Sequence, residues 1–260
     1  MTGRDLHYFD EPRQQKWRIP VLFEDEALLV FNKPAGLPVI PERWHPEWPC
    51  LRSIAETRLA RPLFVVHRID SGTSGLVVLA KSEASHRALS LQFEQHHVEK
   101  TYLAIVRGEM VEEALTVQRP LAEHPNRPGV MIVARDGKPA ITAIRVLERF
   151  RGATLLEVQP QTGRQHQIRV HLQALGHPLL VDPLYGEREA FFLSSIKAGY
   201  HRNAGETEPP LIKRLTLHAS TLLLHHPLSR EQVGFTAPAP RDFQAVLKSL
   251  RKYAARGRTR

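Results

Sequence analysis

Residues 66–80 read Val-His-Arg-Ile-Asp-Ser-Gly-Thr-Ser-Gly-Leu-Val-Val-Leu-Ala. An acid, Asp70, stands two residues after a base, Arg68, and just ahead of a turn rich in Gly, Ser and Thr. A carboxylate on a loop at a strand end can act as nucleophile or general base. Arg68 brings a planar fork suited to phosphate oxygens or base edges. Gly72 and Gly75 permit a tight turn and close backbone approach, and the apolar run after Gly75 reads as a buried strand. By type and spacing alone, an aspartate before a turn is more often a turn or capping residue than a nucleophile.

Two further stretches carry residues of chemical interest. In Glu99–Gly108 the apolar pattern around Tyr102 predicts a strand buried on both sides. In 161–176, Thr162 and Gly163 are positioned to open a helix. Ile168, Leu172 and Leu175 fall on its apolar side, His166, Arg169 and Gln173 fall on the adjacent face, and Gly176 stops it. His166 and His171 are five apart, with no acid between them and no nearby cysteine, so they are not read as metal ligands. The chain has no GxxxxGK[ST] loop for a nucleotide, and its single cysteine, Cys50, has no internal disulfide partner. No metal and no cofactor are expected.

The positioning elements can be read around these stretches. Val21–Pro41 reads as two short strands broken by Lys33-Pro-Ala-Gly-Leu-Pro38, with Lys33 a candidate phosphate contact. Residues 41–50 form a loop bearing Pro and Trp, whose tryptophans are expected to pack beneath it. A short helix over 51–61 leads to the central motif. Ser82 caps a helix running to about His97. Residues 217–238 read as a hairpin, and Phe243, Val246, Leu247 and Leu250 mark a last helix over 242–253. The stretch 187–210 carries Lys197, His201 and Arg202, and by the family resemblance set out below it is an insert and a candidate RNA-facing loop.

The chain has 260 residues and a net charge of +9, a balance that favours polyanion partners over acidic proteins. Its longest apolar stretches fall short of the roughly 20 residues that span a bilayer, and residues 1–20 lack the apolar core of a secretory signal. A cytoplasmic setting is the simplest fit. Residues 1–19 read as a loosely ordered polar extension, 20–253 as one catalytic domain, and 254–260 as a basic tail.

The string HRIDSGTSGLVVLAK closely resembles the H-R-L-D-x-x-T-S-G signature of the RluA-type pseudouridine synthases, with Ile69 where the family usually has Leu. ED-x-x-L-x-V-x-NKPAGL over 24–37, KTYLAIVRG over 100–108, TGRQHQIRVH over 162–171 and the LHA at 217–219 are similar to further family motifs. The resemblance runs from about Val21 to about Pro238. It implies an α+β fold with a central mixed, mostly antiparallel sheet, flanking helices and a basic cleft. It implies isomerisation of uridine in a ribosomal or transfer RNA stem-loop to pseudouridine, without a cofactor. Asp70 is then the essential carboxylate, Tyr102 lies against the flipped base, and Arg169 sits beside the aspartate. RNA contacts are expected from Arg68, His67, Thr73, Arg164, His166 and Lys33. An S4-like RNA-binding domain has no room ahead of the first motif, and family habit suggests a monomer. The rival readings are a non-catalytic RNA-binding protein on the same scaffold and a metal-dependent nuclease or hydrolase, which needs clustered carboxylates or histidines that the sequence does not show.

Overall fold

The structure is a computed structural model that describes residues 5–43, 45–201 and 207–255. In chain order its elements are β1 (Leu6–Asp10), β2 (Gln15–Ile19), β3 (Val21–Glu24), β4 (Leu28–Lys33), α1 (Leu51–Leu59), β5 (Phe64–Val65), β6 (Ser74–Ala80) and α2 (Glu83–Glu94). There follow β7 (Glu99–Arg107), β8 (Ala114–Gln118), β9 (Leu121–Glu123), β10 (Met131–Val133), β11 (Ile141–Phe150), β12 (Ala153–Pro160) and α3 (Gln167–Ala174). The chain ends with β13 (Leu217–His225), β14 (Gln232–Thr236) and α4 (Arg241–Tyr253). The class is α+β, as expected.

Two compact units divide the chain: residues 1–101 with 218–238, and residues 102–217 with 239–260. The first holds a mixed sheet. β4 runs antiparallel to both β3 and β6, β5 adds a short antiparallel segment to β6, and β13 lies parallel to β6 and antiparallel to β14. Every residue of β6 is buried, which is what an uninterrupted apolar run predicts. Ser82 caps α2 by accepting the Ser85 N–H at 3.2 Å.

Residues 6–19 are not the loose extension expected from their polarity. β1 and β2 pair as an antiparallel hairpin through a turn in which Gln14 takes φ 52°. Leu6, Trp17 and Ile19 are buried, and that one-sided burial anchors a two-stranded unit that is marginal by itself.

The second unit holds an antiparallel sheet of β7, from Tyr102 onward, followed by β12, β11 and β8. One core cluster gathers Ala104 and Val106 of β7, Val158 of β12 and Ile168 and Leu172 of α3. Another packs Phe243, Val246, Leu247 and Leu250 of α4 against Ile105 and Phe150, confirming the helical spacing of those four. Each such fully buried side chain contributes about 1.5–3 kcal/mol. In the 187–210 stretch, Phe191 bridges to Ile212 and both are buried; Lys197 Nζ lies 5.7 Å from the rings of Tyr200 and Tyr253. Arg202 and tail residues 256–260 lie outside the described residues.

Candidate functional site

In the first unit, Asp70 sits half-buried on the loop between β5 and β6. The Thr73 N–H donates to the Asp70 carbonyl at 3.0 Å and closes the turn. The Ser71 carbonyl accepts two further bonds, from Gly36 N–H at 2.8 Å and from Lys33 Nζ at 3.0 Å. Lys33 also donates to the carbonyls of Leu37, at 2.6 Å, and Pro34, at 2.9 Å. The turn at 70–73 and the loop at 33–37 are therefore one braced body. Gly36 supplies the left-handed φ of 84° this loop needs.

Gly75 closes the far side of the turn. Its φ is 113°, and its partner in the parallel register is Ala219. A β-carbon placed on Gly75 would lie 2.1 Å from the Ala219 carbonyl oxygen, so only glycine fits. Next to it the Ser74 hydroxyl meets His218 Nδ1 at 2.9 Å, and His218 Nε2 meets the Ala237 carbonyl at 3.0 Å. The second contact requires Nε2–H.

Three of the expected RNA contacts in this unit are partly or fully buried. Lys33 is fully buried with its ammonium on three carbonyls, so it braces the loop and is out of reach of a phosphate. His67 stacks on Phe93 at 4.5 Å between ring centroids, and its Nε2 accepts the Val78 N–H at 3.0 Å. It stands in for a strand carbonyl where β5 has ended. Burial, with the charge of Lys100 as the lesser cause, lowers its pKa from 6.5 to about 3, so the ring is neutral. Thr73 is 1% exposed, and its hydroxyl has no hydrogen-bond partner among the described residues. Arg68 is exposed, beside the buried Ile69 that anchors the loop.

In the second unit, α3 starts at Gln167, five residues later than Thr162 suggested. The Gln167 side chain explains the delay. Its amide oxygen accepts from the Thr162 hydroxyl at 2.7 Å and the Arg164 N–H at 3.0 Å, holding 162–164 in a turn ahead of the helix. His166 occupies the N-cap with a φ of 53°. The Gln167 amide nitrogen donates to the Thr142 hydroxyl at 3.0 Å, and Thr142 meets His171 Nδ1 at 2.8 Å. His171 Nε2 meets the Arg119 carbonyl at 2.9 Å, which makes Nε2 the protonated nitrogen and Nδ1 the acceptor. Burial is the main cause that holds the His171 pKa below its ordinary value.

Arg169 lies on α3 and is 6% exposed. Its Nε and Nη2 donate to the two carboxylate oxygens of Asp182 at 2.7 and 2.9 Å, a bidentate pair. Asp182 is fully buried and also accepts the N–H groups of Leu184 and Tyr185 at 3.0 and 3.1 Å. The Arg169 guanidinium carbon stands 4.8 Å from the Tyr185 ring centroid. The Tyr185 hydroxyl accepts the Met131 N–H at 2.9 Å and lies 2.8 Å from His166 Nδ1. Arg164 is half-buried and donates through Nε to the Pro139 carbonyl at 3.0 Å. Tyr102, half-buried on β7 opposite Val158, packs against the core cluster.

Asp182 and Tyr185 were not singled out in the sequence. Asp-Pro-Leu-Tyr-Gly reads as a turn, and the acid does accept N–H groups two and three residues on. Nothing in the spacing shows that it also holds an arginine 13 positions upstream. Among the described residues no group of three or more His, Cys, Asp or Glu is placed to hold a metal ion, and no helix is long and apolar enough to cross a membrane.

Comparison with known proteins agrees with the motifs. Residues 27–174 match the family model described as RNA pseudouridylate synthase. Over 240 residues the chain is 39% identical to ribosomal large subunit pseudouridine synthase D of Xanthomonas campestris pv. campestris, covering 91% of this chain and 70% of that one. It is 37% identical over 238 residues to ribosomal large subunit pseudouridine synthase C of Haemophilus ducreyi, covering 89% and 69%. The solved structure of human RNA Pseudouridylate Synthase Domain Containing 4 superposes with a TM-score of 0.66 at 28% identity, covering 89% of this chain and 92% of that one. The chain belongs to the RNA pseudouridylate synthase family.

Proposed function

We propose that this enzyme converts a uridine of large-subunit ribosomal RNA to pseudouridine, with Asp70 as the essential carboxylate. The observation that carries the assignment of Asp70 is its turn. The carbonyl of the next residue is tied to both Gly36 and Lys33, so the carboxylate stands on a rigid base. Such fixing is what a reacting group needs and a plain turn residue does not. The names of the ribosomal large-subunit relatives support the choice of RNA.

In the reaction the bond between ribose C1′ and base N1 breaks and a bond between C1′ and C5 forms. The hydrogen on C5 leaves to water and N1 gains a proton, so no oxidant or group donor enters. A stacked uridine must first leave the helix, which costs a few kcal/mol and is offset by contacts in the pocket. Arg68, exposed on the Asp70 loop, fills the space the base vacates. Tyr102 lies against the extruded base. Arg169 is held in one rotamer by the two carboxylate oxygens of Asp182.

The test uses large-subunit ribosomal RNA and transfer RNA, each labelled with tritium at uridine C5. Wild type releases tritium to water from the ribosomal pool. Asp70→Asn binds that RNA with unchanged affinity and releases at least about 10⁴-fold more slowly. Turnover by Asp70→Asn refutes the catalytic assignment. Release from the transfer RNA pool alone refutes the choice of RNA. Binding without release by wild type favours the non-catalytic reading.

A further inference from the structure

The outward face of the β1–β2 hairpin is unused by the chemistry above. The antiparallel register sets His7 opposite Arg18 and Phe9 opposite Lys16. Side chains alternate along a strand, so these four share the face opposite to Leu6, Trp17 and Ile19. The inner three are buried and the outer four are exposed. Phe9 is 41% exposed, although a phenyl ring gains from burial, and the Arg18 side chain is 72% exposed. Lys16 Nζ lies 5.5 Å from the Phe9 ring centroid. Of the hairpin's acids, Asp10 is buried on the other side and Glu11 lies in the turn, while Asp5 meets Arg18 on this face.

We propose that this face is a docking platform for a single-stranded segment of the RNA substrate. Phe9 stacks on a base, while Lys16 and Arg18 meet the flanking phosphates and His7 lines the same path. An open aromatic ring among cations on two strands is the arrangement that holds single-stranded nucleic acid: stacking accepts any base and the charges follow the backbone. Charge complementarity favours RNA, because Lys16 and Arg18 bring two cations against the single carboxylate of Asp5. The burial of Leu6, Trp17 and Ile19 makes the platform rigid before RNA arrives, so little ordering cost falls on binding. The inference rests on RNA being the substrate and adds a contact surface outside the Asp70 and Arg169 regions.

The experiment titrates a fluorescein-labelled ten-nucleotide oligouridylate with the full chain at several salt concentrations. Phe9→Ala weakens binding roughly fivefold to a hundredfold, and Phe9→Trp retains it. Replacing Lys16 and Arg18 together by Gln lowers the slope of log affinity against log salt by about 1.4. Unchanged affinity in Phe9→Ala, or an unchanged slope in the double variant, overturns the platform. Equal loss in Phe9→Ala and Phe9→Trp overturns it too, since that marks damage to the hairpin and not lost stacking. These readings need no turnover, so failure of the Asp70 assignment leaves them interpretable.

Discussion

The two units brace their candidate site residues in opposite ways. The first grips the turn and β6 by their main-chain atoms, in part with the side chains of Lys33 and His67. Ser71 O takes bonds from Gly36 and Lys33, Val78 N–H is met by His67, and the backbone at Gly75 presses on Ala219. The second works through side chains. Arg169 is gripped by Asp182, and Thr162, Gln167, Thr142 and His171 form a buried chain of hydrogen bonds. A main-chain brace places a turn whatever side chain the turn carries, so the chemistry at Asp70 can be exchanged without moving it. A side-chain brace sets one rotamer and is lost with any member.

Three substitutions test that contrast. Gly75→Ala has the largest expected effect. It adds a β-carbon 2.1 Å from a backbone oxygen at a positive φ, and neither partner is a flexible side chain. The expected loss is about 4 kcal/mol or more, read as a fall in the urea midpoint. A midpoint within error of wild type breaks the main-chain account.

Asp182→Asn comes next. It keeps the shape but removes the charge of the Asp182 carboxylate that grips the buried Arg169 guanidinium, for an expected loss of about 3 kcal/mol. Turnover drops as well, because the arginine loses its fixed direction. The contrast sharpens if amide exchange quickens at 167–185 while 70–80 stays protected. Exchange that quickens equally in both stretches shows the braces are not separate.

The smallest effect is a pH dependence. His67 has a folded pKa of about 3 against an ordinary 6.5. The unfolded chain takes up the proton first as pH falls, so the contribution is fully present above pH 6.5 and is lost progressively toward pH 3. The slope stays below about 1.4 kcal/mol per pH unit, since at most one proton separates the two states. His67→Gln keeps an acceptor for Val78 N–H and abolishes that part of the slope. Urea midpoints at pH 7 and pH 4 for both proteins give the difference, and parallel changes in the two refute the role.

Elements with a plain apolar pattern were legible in the sequence: β6, α4, the β13–β14 hairpin and the Ser82 cap of α2. The N-terminal hairpin was not. Only Leu6, Trp17 and Ile19 are apolar and buried there, and their alternation is visible only once the turn before Gln15 is known to fold one strand onto the other. The start of α3 was missed because Thr162 is a good cap by type, yet the Gln167 side chain claims its hydroxyl. At the site, glycines marked where the backbone had to bend. The roles of Lys33 and Asp182 could not be read, because a charged residue carries no sign of whether it faces water or a buried partner.

The parallel contact between β6 and β13 also sets a schedule. Ser74 and His218 are 144 residues apart, and the Asp70 turn lies just before Ser74. On a ribosome adding roughly 5–20 residues per second, the strand that flanks this turn is made about 7–30 seconds after the turn itself. Through that interval β6 is exposed on the side β13 will cover. Its run of apolar residues is then open to wrong pairing, and the first unit is finished only after all of the second but 239–260 has been synthesised.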